Sequence, residues 1–413
     1  MNSSDAFVGD TIPSVRAGEL RKSRKRVAFL NSHPTQYYAP FYAYLTSTTE
    51  IEAIGLYLSD FSLRGAIDPQ FGQTVKWDID LLKGYESHYL SVDYETVEPY
   101  GFFRLRVAEA KEKLSKLDLD AVVIFGHNFL AIHQVISAAK ELQIPLMYRS
   151  DTHLGLRRSQ LKNLIRNPIM FLFFKQFDAF LAVGSENRRY YEKFGVPSRK
   201  IFDTPFSVDN SRFADTSKLS SAERKAVRRK LKVETEAPII LFASKFTTRK
   251  RPGDVLAACR ILHSREIDFH LVYVGSGELQ ERLETEARNV PFKVTFAGFQ
   301  NQTQLPPIFW ASDVFVFPSE NEPFGLVVNE AMAAGLPIIA SSEIGCVPDL
   351  VHHDVNGRIF EAGDVEGLAD ALEPILRSEA LRRKMSEKSR EIVVRSDFAS
   401  TANGLAAALA SLP

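Results

Sequence analysis

The feature that most constrains this chain is an alternation that runs, stops and starts again. RVAFLNS (26–32), EIEAIGLYLS (50–59), DLDAVVIFG (118–126), IPLMYRS (144–150) and AFLAVGS (179–185) are short apolar runs, and helix-patterned stretches such as FLAIHQVISAAKEL (129–142) lie between several of them. Short apolar runs separated by helical segments predict a parallel sheet covered by helices on both faces. The alternation then breaks and restarts with APIILFASKF, DFHLVYVGSG, FKVTFAG, DVFVFPS and LPIIAS, spaced by helices such as RPGDVLAACRILHS (251–264). The expected fold class is therefore α/β, with two doubly wound domains in tandem and a cleft between them.

Length agrees, since 413 residues exceed what one hydrophobic core usually organises. The seam is expected in TPFSVDNSRF (204–213), where periodicity is lost, and SSAERKAVRRKL (220–231) opens with a capping box from Ser220 to Glu223. The organisation read from this is a polar basic arm at 1–26, a first domain at 27–205, a second at 206–390 and a returning C-terminal helix within 391–413. The arm has no apolar stretch of signal-peptide or membrane-span length, and Cys259 and Cys346 form no paired pattern, so the expected compartment is cytoplasmic. Lysines plus arginines equal aspartates plus glutamates at 51 each, so no global field recruits nucleic acid.

SENEPFGLVVNEAMAAGLPIIAS (319–341) holds the candidate site. Pro323 suits the first turn of a helix, Gly335 its C-terminal cap, and Pro337 blocks continuation, so a helix is expected at 324–334. Both Glu322 and Glu330 then stand at the carboxyl edge of the second sheet, which is the ligand side in such folds. A helix start there offers free amides to an anion, and a carboxylate accepts both hydrogen bonds of a ribose diol. A nucleotide is the ligand this predicts.

These residues carry a resemblance. E-x7-E followed by A-M-A-x-G-x-P resembles the signature of glycosyltransferase family 4, retaining enzymes of the GT-B fold that use nucleotide-sugar donors. ASKFTTRKRPGDVLAA (243–258), LVYVGSGELQERL (271–283) and SSEIGCVPDLVHHDVNGRIFEAGDVEGLADAL (341–372) are similar to further blocks of that family, in the same order. The resemblance implies two Rossmann-like domains, a UDP- or GDP-linked sugar donor, no cofactor or metal, and a sugar-containing or lipid-linked acceptor. It implies donor contacts from Lys245, Lys250, Gly275, Phe324, Gly325, Leu326 and Glu330, with His127, Glu322 and Lys250 at the reacting bond. The family's first cation is typically arginine; Lys245 keeps the charge without the bidentate fork.

The acceptor side is less marked. NSHPTQYYAP (31–40) lacks the pair of glycines many relatives carry, and His33, Gln36, Tyr37, Asp151 and His153 are its candidate cleft residues. Two D-x-D triplets, at 78–80 and 118–120, match a metal-diphosphate pattern, but one precedes its strand and the other lies in a loop, so neither is assigned a metal. In 156–184, Arg157, Arg158, Lys162, Arg166 and Lys175 accompany an apolar cluster at 169–174. That is either a basic amphipathic surface for peripheral membrane contact or a helix packed on the core, and the strand that follows directly favours packing. A sugar-nucleotide epimerase and a non-enzymatic sugar-nucleotide binding protein are the alternative functions.

Overall fold

The computed structural model describes residues 24–68, 72–91, 93–95, 101–157, 159–214 and 220–413. The arm expected at 1–26 lies outside them up to residue 23, as does Arg158. Residues 25 and 26 belong to the first strand, where Arg26 pairs with Glu52 and Glu86 instead of ending a solvated tail.

The first sheet comprises β1 (Lys25–Asn31), β2 (Ile51–Tyr57), β5 (Glu86–Tyr89), β6 (Ala121–Phe125), β7 (Leu146–Ser150), β8 (Ala179–Ala182) and β9 (Ile201–Asp203). The short pair β3 (Ala66–Asp68) and β4 (Gln73–Val75) forms a separate antiparallel hairpin. The sheet order is β5-β2-β1-β6-β7-β8-β9, with every pairing parallel. The second sheet has β10 (Ile239–Ala243), β11 (His270–Val274), β12 (Lys293–Phe296), β13 (Val314–Phe317), β14 (Ile338–Ser341) and β15 (Gly357–Phe360). Its order is β12-β11-β10-β13-β14-β15, again parallel throughout.

Parallel strands are buried on both faces, which is why their sequences are continuous apolar runs. Successive side chains of one strand accordingly serve different cores. Val27 and Phe29 pack with Phe41, Leu45 and the C-terminal helix, whereas Ala28 and Leu30 face Ile124, Val135 and Tyr148. In the second sheet Leu241 packs with Val328 and Met332, and Ile240 and Phe242 pack with Leu256 and Leu372. Helix Phe398–Ala410 lies on the first sheet through Ala402, Leu405 and Ala408. Gly404 allows this approach: a Cβ there would come within 1.9 Å of the Asp203 carbonyl oxygen.

Chain order reverses between β1 and β6 in the first sheet and between β10 and β13 in the second. A crevice opens beyond the carboxyl ends of strands at such a reversal, because the flanking connections leave on opposite faces. Both crevices meet in one cleft.

Candidate functional site in the interdomain cleft

The cleft has a volume of about 570 Å³. The loop after β1 and part of the segment after β7 form one wall, and the loops after β10, β11, β12 and β13 form the other. Lys245, Lys250, Gly275, Glu322, Phe324, Gly325, Leu326 and Glu330 line the second wall, and His33, Gln36, Tyr37 and Asp151 the first. His127 and His153 do not line it. His127 Nδ1 lies 3.1 Å from the Tyr148 hydroxyl and its ring packs on Phe173. Buried His153 bridges the domains: its Nε2 is 3.0 Å from the Glu322 carbonyl oxygen, and its Nδ1 accepts from the Gly155 amide at 3.1 Å. With Nδ1 accepting, Nε2 carries the proton and donates.

The entry to helix Leu326–Ala333 differs from the sequence expectation. It starts at Leu326, two residues later, because Gly325 caps it with φ of 94°. That conformation suits glycine, and the space where a Cβ would stand is taken by Ile344 at 2.9 Å and Phe317 at 3.1 Å. Pro323 therefore sits in the loop before the cap. The C-terminal end follows expectation: the Gly335 amide donates to Met332 and the Leu336 amide to Ala331, both at 2.9 Å, which closes the helix as a Schellman motif. The first helical amides have no intrahelical acceptor and start at the cleft wall formed by Gly325, Leu326 and Val327.

Glu322 organises the charges. Its Oε2 accepts from Lys250 Nζ and Arg249 Nη1, each at 2.5 Å, and from Ser319 Oγ at 3.1 Å. Its backbone is held as firmly, with the carbonyl accepting from the Gly345 amide at 3.1 Å as well as from His153. The buried Lys250 ammonium also stands 4.7 Å from the centre of the Phe317 ring. Burial lowers its pKa from the ordinary 10.5 to about 8; the Glu322 carboxylate opposes that fall, and Arg249 and Lys245 add to it. Arg249 is a cleft residue the sequence reading does not single out; its contact with Glu322 forms because β10 and β13 lie side by side. Arg251, the third of the run, turns away to Asp254 and Glu320.

Glu330 is 3% exposed and faces the cleft. Burial raises its carboxyl from 4.5 to about 8, against the Arg212 guanidinium. Opposite, enclosure pushes the Tyr37 phenol well above its usual range, with Glu330 adding to the rise. Gly275 brings two loops together: its φ is 130°, and a Cβ would stand 2.0 Å from the Ser244 carbonyl oxygen.

Asp78 and Asp120 of the D-x-D triplets have structural partners. The Asp78 carboxylate accepts from the Thr303 amide at 3.1 Å and from its hydroxyl, and Asn301 Nδ2 donates to the Lys76 carbonyl at 2.7 Å, so the loop at 76–78 is clasped to the second domain. Asp120 accepts from Lys25 Nζ and the Arg26 amide, both at 2.8 Å. Among the described residues no three His, Cys, Asp or Glu side chains gather in a metal-holding group.

Comparison with known proteins places this geometry. Residues 223–392 match the family described as glycosyl transferases group 1. N-acetyl-alpha-D-glucosaminyl L-malate synthase of Bacillus anthracis is 31% identical over 240 residues, covering 56% of this chain and 58% of that protein. The chain spans about half the length of the curated relatives it matches. Anabaena Alr3699/HepE, solved in complex with UDP, superposes with a TM-score of 0.71 at 16% identity, covering 94% of this chain and 100% of that one. WaaG, described as a glycosyltransferase involved in lipopolysaccharide biosynthesis, gives a TM-score of 0.62 at 17% identity, covering 92% of this chain and 98% of WaaG. The chain thus has the two-domain GT-B fold, and its residues 223–392 are similar to the glycosyl transferases group 1 family.

Proposed function

We propose that the protein is a retaining glycosyltransferase that moves a hexosyl group from a nucleoside-diphosphate sugar to an acceptor hydroxyl without a metal ion. The observation that carries the reading is the cation cluster of Lys245, Arg249 and Lys250, gathered beside Glu322 and a helix start on the same cleft wall. As the glycosidic bond breaks, negative charge grows on the departing diphosphate, and preplaced cations and amides stabilise that charge more than the ground state. The structural relative Alr3699/HepE has been solved with UDP and with UDP-glucose, which favours a uridine donor here.

In this reading the diphosphate lies against Lys245, Lys250 and the amides at the start of helix Leu326–Ala333. The ribose reaches Glu330, and the sugar reaches Glu322 and the Phe324–Gly325 backbone. Glu322 serves twice, since its carboxylate keeps Lys250 charged in a buried setting and faces the positive charge that develops at the anomeric carbon. Retention follows if the acceptor hydroxyl attacks on the face the leaving group vacates and a leaving-phosphate oxygen takes its proton. The acceptor, a saccharide, glycolipid or small hydroxylated molecule, is received by the wall of His33, Gln36, Tyr37 and Asp151.

Incubation with UDP-, GDP- and ADP-linked sugars and a panel of hydroxyl acceptors tests this. Release of nucleoside diphosphate with an α-linked product from an α-linked donor supports it. An isomerised sugar nucleotide points to an epimerase, and tight binding without turnover to a binding protein.

A further inference from the structure

The loop after β4 crosses from the first domain to the second and is pinned there on both sides of Trp77. The Lys76 carbonyl accepts from Asn301 Nδ2 at 2.7 Å. The Asp78 amide donates to Asn301 Oδ1 at 3.2 Å, and the Asp78 carboxylate accepts from the Thr303 amide at 3.1 Å. Each such bond at the surface contributes little by itself, but together they leave the residue between them few conformations. Trp77 is thus held against the loop after β12.

The ring is half-buried and lines the cleft, where it meets Phe299 of the second domain with centroids 6.2 Å apart and planes inclined at 54°. Rings inclined in this way do not cover each other's faces, so a third planar group can lie against them. The place along the cleft selects that group. From Glu330, the seat given to the ribose, contacts run to Arg212, whose charge acts on the Glu330 carboxyl, and from Arg212 Nη1 to Gln302 Oε1 at 2.8 Å. Gln302 adjoins Asn301, and Asn301 holds the clasp. Trp77 therefore stands beyond the ribose seat, on the side away from the diphosphate cations, and the part of a nucleotide found there is its base.

We propose that Trp77 of the first domain stacks on the nucleobase of the donor, so that the nucleoside is held by both domains at once. The inference rests on the donor reading given above. Every base has a π-face, so the contact adds affinity without selecting one base strongly. An acceptor sugar also stacks on an indole ring, but it must reach the anomeric carbon beside Glu322, and Trp77 lies at the other end of the nucleotide. The clasp residues Asp78 and Asn301 act through Trp77, as positioning residues that keep its ring over the second domain.

The chain has two tryptophans, and the other, Trp310, donates its Nε1 to the Phe213 carbonyl within the second domain. Emission of the parent minus that of Trp77→Phe therefore isolates Trp77. UDP, GDP and ADP should each quench this difference signal, and inorganic pyrophosphate, which has no base, should not. By calorimetry Trp77→Ala should weaken UDP binding about tenfold, and Trp77→Phe should weaken it less. The proposal fails, with the donor reading intact, if UDP binds and leaves Trp77 emission unchanged, if pyrophosphate quenches as UDP does, or if Trp77→Ala binds UDP as the parent does. Quenching by methyl glucoside in place of the nucleotides would also overturn it and give Trp77 to the acceptor. If no nucleoside diphosphate binds the parent, the donor reading itself falls and the proposal with it.

Discussion

Lys250 Nζ and Glu322 Oε2 meet at 2.5 Å across the carboxyl ends of two neighbouring strands. The pair makes a buried ammonium available on a cleft wall, and its charge depends on its partner. Lys250→Ala should lower kcat by on the order of 10², the scale for removing one preorganised charge-stabilising donor, with a smaller effect on KM. Lys250→Arg should recover part of the loss. Near-normal kcat in a folded alanine variant would remove Lys250 from the chemistry.

The same pair sets a pH limit. With its pKa near 8, Lys250 is charged below that value and loses its proton as pH rises through it. Anionic donor binding favours the charged form, so affinity for nucleoside diphosphate should be full below pH 8 and decline above it. Glu322→Gln removes the carboxylate that holds the proton, and the decline should move to lower pH. A profile by calorimetry that is flat through pH 9 in both proteins would contradict the coupling.

Glu330 carries the opposite sign. Its folded-state pKa, near 8 against the ordinary 4.5, means that the folded protein binds more protons than the unfolded chain between those values. Its contribution to stability is fully present below about pH 4.5 and is lost as pH rises through 8. Glu330→Gln should therefore gain stability relative to the parent as pH increases across that window. With its carboxyl largely protonated at neutral pH, Glu330→Ala should weaken nucleotide binding by roughly 0.5 to 1.5 kcal/mol through the lost ribose contact. Unchanged donor affinity in a folded variant would dismiss Glu330 as a ligand contact.

Gly275→Ala tests loop packing. A methyl group 2.0 Å from the Ser244 carbonyl, on a backbone with φ of 130°, forces the loops after β10 and β11 apart. A cost of about 1 to 3 kcal/mol is expected, read as a lower thermal midpoint, together with weaker donor binding. A parent-like midpoint and affinity would mean the loops separate without cost.

Activity should survive EDTA, because the leaving-group charge is assigned to Lys245, Lys250 and helix amides. Loss of turnover on chelation, restored by magnesium or manganese, would overturn that assignment.

Local sequence determined the elements whose signals are local. Continuous apolar runs marked the central strands, since a strand buried on both faces has no polar alternation to hide it, and Gly335 with Pro337 marked the end of the site helix. Of the edge strands, β12 showed as FKVTFAG, but β15 (Gly357–Phe360), four residues long with one neighbour, and β5, half-buried along its whole length, were not legible in this way. Tertiary structure alone decided the charge arrangement. Lys250 and Arg249 lie more than seventy positions from Glu322, and an RKR run reads as solvated until β10 and β13 pair and bring the loops together. It also decided that His153 supports the Glu322 backbone, and that Asp78 clasps Thr303. Periodicity records which side of an element is buried; which partner covers it depends on contacts between residues far apart in the chain, which no local pattern encodes.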